Sequence, residues 1–273
     1  MKANHRTNPA AFTLVELLVT IAIIAVLATV STAAYLKMRE KARMVTEVSA
    51  ARNLIAAYLL YPADHGGQVM PGYQSDPEAA DLDGNPLPSP LNARYPWRLA
   101  ALAPGIDGVM LFNGNESALD SNDSDYLVSV MPNLGLNAVL LGGHFGSGSP
   151  LPPSPRMIEA YGKFHLTHLS EAETPENLIV FASARSGKGK PGYFEIRPPR
   201  LTGPVWTSGK FKEESPAHQH GFVDFRYNGS AVTACLAGNV QLLTEKELRD
   251  MRRWSNQAAR ENDPDFTIRR ASN

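Results

Sequence analysis

Residues 10–36 read AAFTLVELLVTIAIIAVLATVSTAAYL, an apolar run with one acid, Glu16, near its start. From residue 17 to residue 36 twenty residues carry no charge. A helix rising about 1.5 Å per residue needs about that many to cross a hydrocarbon core of roughly 30 Å. A carboxylate in hydrocarbon costs several kcal/mol, so Glu16 is a functional residue in search of a partner.

Three readings of this terminus compete. A secretory signal has an apolar stretch of about 7–15 residues with a small-residue cleavage site behind it. This run is longer, contains an acid and has no convincing Ala-x-Ala site after it. A plain membrane anchor fits the length and leaves Glu16 without a reason. The third reading is a precursor cut ahead of the helix, so that the helix stays on the mature chain. Residues 1–11 suit this as a short polar leader with two bases, Lys2 and Arg6, and no acid. The leader ends in Ala10-Ala11, followed by Phe12-Thr13-Leu14-Val15-Glu16-Leu17-Leu18.

These residues resemble the start of type IV pilin and type II secretion pseudopilin precursors. The signature is a small residue, Phe, Thr, Leu, any residue, Glu and Leu, then a long apolar helix, and the resemblance covers residues 11 to about 61. It implies that a prepilin peptidase cuts between Ala11 and Phe12 and that the new Phe12 amine is methylated. Glu16 then becomes the fifth mature residue. The usual residue before the cut is Gly; Ala11 keeps a small side chain there. The implied partners are the prepilin peptidase, other pilin or pseudopilin subunits and inner-membrane lipid. The implied location is the bacterial inner membrane, single-pass, with the C-terminal domain periplasmic or at the cell surface. Charge alone favours the opposite orientation, because Lys37, Arg39, Lys41 and Arg43 outnumber Lys2 and Arg6. The expectation here follows the resemblance.

Cleavage at Ala11 gives Glu16 a physical reason. It creates a cationic amine at the head of the helix, four residues before the carboxylate. Within one chain the helix dipole favours an anion there by a fraction of a kcal/mol. Between chains, the amine of one subunit pairs with Glu16 of its neighbour, and such pairing is strong in low dielectric. One contact repeated head-to-tail without closure builds a helical filament. Glu16 is thus the expected assembly residue, with Ala22, Ala25, Ala28, Ala33 and Ala34 allowing close helix approach.

The helix is expected to continue past the membrane. Met38, Ala42, Val45, Val48, Ala51, Ile55 and Leu59 recur at helical spacing, with Arg39, Lys41, Arg43, Glu47 and Arg52 between them. Pro62 ends the run. The amphipathic half needs a cover, and pilins supply one as an antiparallel sheet. The C-terminal sequence offers strands at residues 222–227, 231–236 and 240–243. Asn228-Gly229 joins the first two as a hairpin signal, and Ala237-Gly238-Asn239 makes a second tight turn. Thr244-x-x-Glu247 then caps a final helix running to about Arg260. Many large pseudopilin-like proteins carry a polar phrase across such a turn; the aligned positions here hold Tyr227, Ala237 and Asn239, so only the turn architecture is expected to persist.

The expected fold class is α+β: a pilin-like fold with a long N-terminal helix packed on an antiparallel sheet, and a large loop-rich insertion. Its segments are a leader (1–11), a transmembrane half-helix (12–36) and an amphipathic half-helix (37–61). A Pro/Gly-rich insertion (62–217), a β-meander (218–243) and a C-terminal helix and tail (244–273) follow. Nineteen of the 21 prolines fall between residues 61 and 216, which opposes long regular elements. Within that stretch residues 95–102 suit a short helix, 125–131 a strand or helix, and 177–182 a buried strand. Loops on a rigid scaffold often carry recognition.

Composition limits the alternatives. Net charge is −1, from 26 bases and 27 acids, which gives no nucleic-acid footprint. Cys235 is the only cysteine, so it reads as a small core residue rather than half of an intrachain disulfide. His218, His220 and Asp224 offer ligand types but no zinc spacing. His144, His165 and His168 fit no better. Residues 120–125 lack the Gly of a calcium loop, and the twelfth position is Met131 rather than Glu. No catalytic residue, cofactor or metal site is expected, with calcium the one ion that the resemblance leaves open. The chain reads as a structural subunit, a pseudopilin or minor pilin, and not an enzyme. The other reading is a membrane-anchored extracytoplasmic binding module that borrows a pilin-type N-terminus for export, its insertion gripping a glycan or protein.

Overall fold

The structure, a computed structural model, describes residues 13–271 apart from 104, 106 and 113. The chain divides between residues 43 and 44 into two compact units. Helix α1, Leu14–Asp64, runs through both. In the first unit its large apolar side chains between residues 14 and 36 are 47–78 % exposed on every side of the helix. Among the described residues no polypeptide covers them, which suits a lipid-facing stretch. Three of its hydroxyls are satisfied internally: Thr20, Thr29 and Thr32 donate to the Leu17, Val26 and Ala28 carbonyls at 2.7–2.8 Å. Such bonds keep polar groups paired where water is absent.

In the second unit α1 buries Ala50, Ala51, Leu54, Ile55, Ala57 and Tyr58, and with them Glu47. This face is rotated from the expected one. Val45, placed in the apolar stripe by its spacing, is exposed, and Glu47, placed between apolar positions, is fully buried. The helix also passes Pro62 and ends at Asp64. A proline in the last turn sacrifices one backbone bond only. The end is closed by Gly67, whose N–H donates to the Pro62 carbonyl at 2.8 Å from a left-handed conformation (φ 86°).

The sheet is antiparallel and four-stranded. Its strands are β1 (Leu134–Leu136), β2 (Ile179–Ser183), β5 (Ser230–Cys235) and β6 (Val240–Thr244), in the order β1-β2-β5-β6. A separate ribbon pairs β3 (Arg185–Gly187) with β4 (Lys190–Pro191). The sheet together with α1 gives the expected α+β architecture. The hairpin β5–β6 forms with Ser230 opposite Thr244 and Ala234 opposite Val240, around Gly238 (φ 87°). Asn228 and Gly229 take positive φ (52° and 80°) and make the expected tight turn between Tyr227 and Ser230.

The expected three-strand meander is corrected. Residues 222–227 are not a strand: Phe222 sits at φ 64°, and only isolated bridges form, at Val223 and Tyr227. The place beside β5 goes to β2, all five residues of which are buried. That strand was legible as a buried segment, and it belongs to the proline-rich part of the chain. The single helix expected from Thr244 to Arg260 is likewise broken into Glu245–Leu248, Met251–Arg253 and Asn256–Glu261. The Thr244–Glu247 capping box forms as expected. The breaks come where Asp250 and Ser255 accept the Arg252 and Ala258 N–H groups and start new turns. The helices expected near residues 95–102 and 125–131 appear as Tyr95–Ala100 and Ser124–Val130.

The sheet is a middle layer with a core on each face. Val232 and Ala234 of β5 join Leu54, Ile55 and Tyr58 of α1. Ala231 and Cys235, the alternate residues, join Trp206, Met251 and Trp254. In β2 the alternation is broken by a bulge between Ile179 and Phe181, so that Val180 and Phe181 both serve the α1 face. Phe181 meets Tyr58 edge-on at 5.6 Å and Tyr95 at 5.1 Å between ring centroids. Replacing Phe181 by Ala is expected to cost about 3–5 kcal/mol of stability, measured by chemical denaturation of the detergent-solubilised chain.

Candidate functional site

The predicted processing residues Ala11 and Phe12 lie outside the described residues. The predicted assembly residue, Glu16, is described, and it is not a bare acid. Thr13 precedes the first helical residue, and its N–H and hydroxyl donate to Glu16 Oε2 at 2.9 and 2.8 Å. The Glu16 N–H in turn donates to Thr13 Oγ1 at 3.2 Å. Thr13-x-x-Glu16 is therefore a capping box, closing backbone donors that a helix start leaves without partners. The signal was present in the sequence and is the same pattern as Thr244-x-x-Glu247. These bonds use only one carboxylate oxygen, Oε2. Oε1 takes part in none of them.

A second acid, Glu47, was missed as a site. It is fully buried and receives the Ser183 hydroxyl on Oε1 and the Tyr227 hydroxyl on Oε2, each at 2.5 Å. Arg226 Nη1 lies 3.6 Å from Oε2. Ser183 Oγ also accepts the Val232 N–H at 2.9 Å, which links α1, β2 and β5 through one hydroxyl. Arg226 Nε pairs with Asp224 at 3.0 Å, and its Nη2 donates to the Ala184 carbonyl. Burial opposes the Arg226 charge, but Glu47 and Asp224 outweigh it and raise the guanidinium pKa. Burial and then Glu47 push the Tyr227 phenol well above its ordinary range, so it remains a donor. Burial raises the Asp224 carboxyl against the pull of Arg226 and Arg185.

The other candidate side chains do not converge. Tyr227 and Asn239 sit at opposite ends of β5. The first bonds Glu47, the second donates to the Glu176 carbonyl at 3.0 Å, and Ala237 is exposed. His218 is exposed while His220 is buried against Trp206 and Phe211, 3.4 Å from Glu245. His144 is buried 3.5 Å from Glu195, and burial lowers its pKa to about 4. Asp123 and Asp125 lie at the start of the helix Ser124–Val130, where burial and the Asp81 and Asp83 charges raise the Asp125 pKa. Among the described residues no three His, Cys, Asp or Glu side chains form a metal-ligand group. Cys235 is buried in β5, as expected of a core residue.

Comparison with known proteins places the recognisable part of the chain at this terminus. The prokaryotic N-terminal methylation motif matches residues 6–32. The chain thus carries the N-terminal segment of a type IV pilin-type precursor. That motif and the apolar helix, with mean hydropathy 2.5 over its richest window, fit a single-pass inner-membrane anchor. No curated protein and no solved structure matches the chain.

Removing Glu47 takes away one of the two carboxylates paired with Arg226 and the acceptor of the Ser183 and Tyr227 hydroxyls. Glu47→Ala is expected to destabilise the protein by about 3–5 kcal/mol, and Tyr227→Phe by about 1–3 kcal/mol. Equilibrium denaturation of both variants in detergent checks the ranking.

Proposed function

We propose that the chain is a structural subunit, processed by prepilin peptidase between Ala11 and Phe12, that assembles with other pilin-type subunits into an envelope filament of the pilus or pseudopilus kind. The methylation motif supports the maturation step. The apolar helix, exposed all round, suits a segment that passes from inner-membrane lipid into a bundle of like helices, where small residues permit close approach. The observation that carries the assembly step is the geometry of Glu16. Oε2 is engaged by Thr13 of its own chain, and Oε1 remains for the cationic amine of a neighbour. Charge pairing between subunits, repeated without closure, makes a filament. A bulky globular unit of over two hundred residues favours a minor or tip position.

The capping box also separates two explanations of Glu16. Glutamine serves at the third position of a capping box as glutamate does, but it carries no charge. Glu16→Gln is expected to be inserted and cleaved normally, yet to enter sheared filaments roughly 30-fold less, the equivalent of about 2 kcal/mol. Thr13→Ala keeps the charge and loses the cap, about 1 kcal/mol, and is expected to assemble. Normal assembly of Glu16→Gln would remove the pairing argument. Mass spectrometry of the mature chain is expected to show a start at Phe12 with one added methyl group; a start elsewhere excludes the maturation step.

A further inference from the structure

The globular unit holds a cleft of about 360 Å³ that the filament reading does not use. One wall is the stretch from Lys163 to Leu166, the other the short helix Asn256–Glu261, with Glu171 between them. Its amide side chains are fixed from behind. Asn256 Nδ2 donates to the Glu171 carbonyl and Oδ1 accepts the Glu173 N–H, both at 2.8 Å. Gln257 Nε2 donates to the Lys163 carbonyl at 2.8 Å. Groups already held in place lose little freedom when a ligand arrives.

The charges of the cleft are closed on themselves. Lys163 pairs with Glu171, and Arg260 Nε with Glu173 Oε1 at 2.7 Å. No surplus charge of either sign is left to recruit a phosphate or a sulfate. What remains open is a mixture of donors and acceptors. Gln257 Oε1 and the Arg260 Nη atoms take no part in the bonds above, and the His165 ring lines the cleft beside them. Burial and then Lys163 lower the His165 pKa, so the ring is neutral at neutral pH, with one donor and one acceptor nitrogen.

We propose that this cleft binds a neutral saccharide. Sugar hydroxyls both donate and accept, which matches a charge-balanced set of amide, imidazole and guanidinium groups. The site lies in the second unit and stands independently of Glu16 and of assembly.

The test is saturation-transfer difference NMR on the full chain in a non-glycosidic detergent. The probes are cellobiose, maltose, lactose and chitobiose, with inorganic phosphate as competitor. At least one disaccharide is expected to bind with a Kd of about 1 mM, undisturbed by phosphate. Arg260→Ala and His165→Ala are each expected to weaken it about tenfold. The Arg260 side chain is 60 % exposed, so its removal leaves the melting temperature unchanged and isolates binding from folding. Absence of transfer from all four sugars, unchanged affinity in Arg260→Ala, or displacement by phosphate would overturn the proposal.

Discussion

The globular unit depends on one buried carboxylate. Apolar contacts between α1 and the sheet are non-directional, and a helix resting on them alone can rotate at modest cost. Hydrogen bonds have a narrow geometry. By accepting from Ser183 on one oxygen and Tyr227 on the other, Glu47 fixes the rotation of α1 from residue 44 onward. The rotated face described above, with Val45 outward and Glu47 inward, follows from it. The same carboxylate sets the position of Arg226, whose guanidinium then reaches the Ala184 carbonyl at the end of β2. Ser183 passes the constraint to β5 through the Val232 N–H.

What was legible in the sequence depended on how far a residue's partners lay along the chain. The apolar run, the Asn228-Gly229 turn and the Thr244 cap are local patterns, and each formed where the sequence placed it. Glu47 lies 136 and 180 residues from its two hydroxyl partners, and no local pattern distinguishes it from a solvent-facing acid. The strand order failed for the same reason. The turn at Asn228-Gly229 announces a hairpin, but β5 pairs with β2 because a strand buried at all five positions needs the centre of the sheet. The Thr13–Glu16 box is a different kind of miss. It is local and was readable, but an acid in a membrane helix invites a distant partner before a neighbour three residues away.

Tyr227 shows why a substituted motif position is not an empty one. The phenol at that place reaches Glu47 and differs from an imidazole in its protonation. An imidazole titrates near neutrality, whereas the Tyr227 phenol, raised by burial and by Glu47, stays a donor throughout. Asn239, at the far end of β5, serves the neighbouring loop through the Glu176 carbonyl, so the two positions have parted into separate structural tasks.

Two acids on one helix thus meet the same class of donor with different outcomes. Glu47 has both oxygens occupied by its own chain and is sealed from everything else. Glu16 has Oε2 occupied by Thr13 and stands at the exposed head of the helix. A carboxylate with both oxygens satisfied gains little from a second chain, because each new bond would replace an existing one. A carboxylate with one oxygen uncommitted in a low-dielectric setting gains the full charge-assisted bond when a cation arrives. In the proposed filament that asymmetry, rather than the mere presence of an acid in hydrocarbon, is the reason to assign subunit recognition to Glu16.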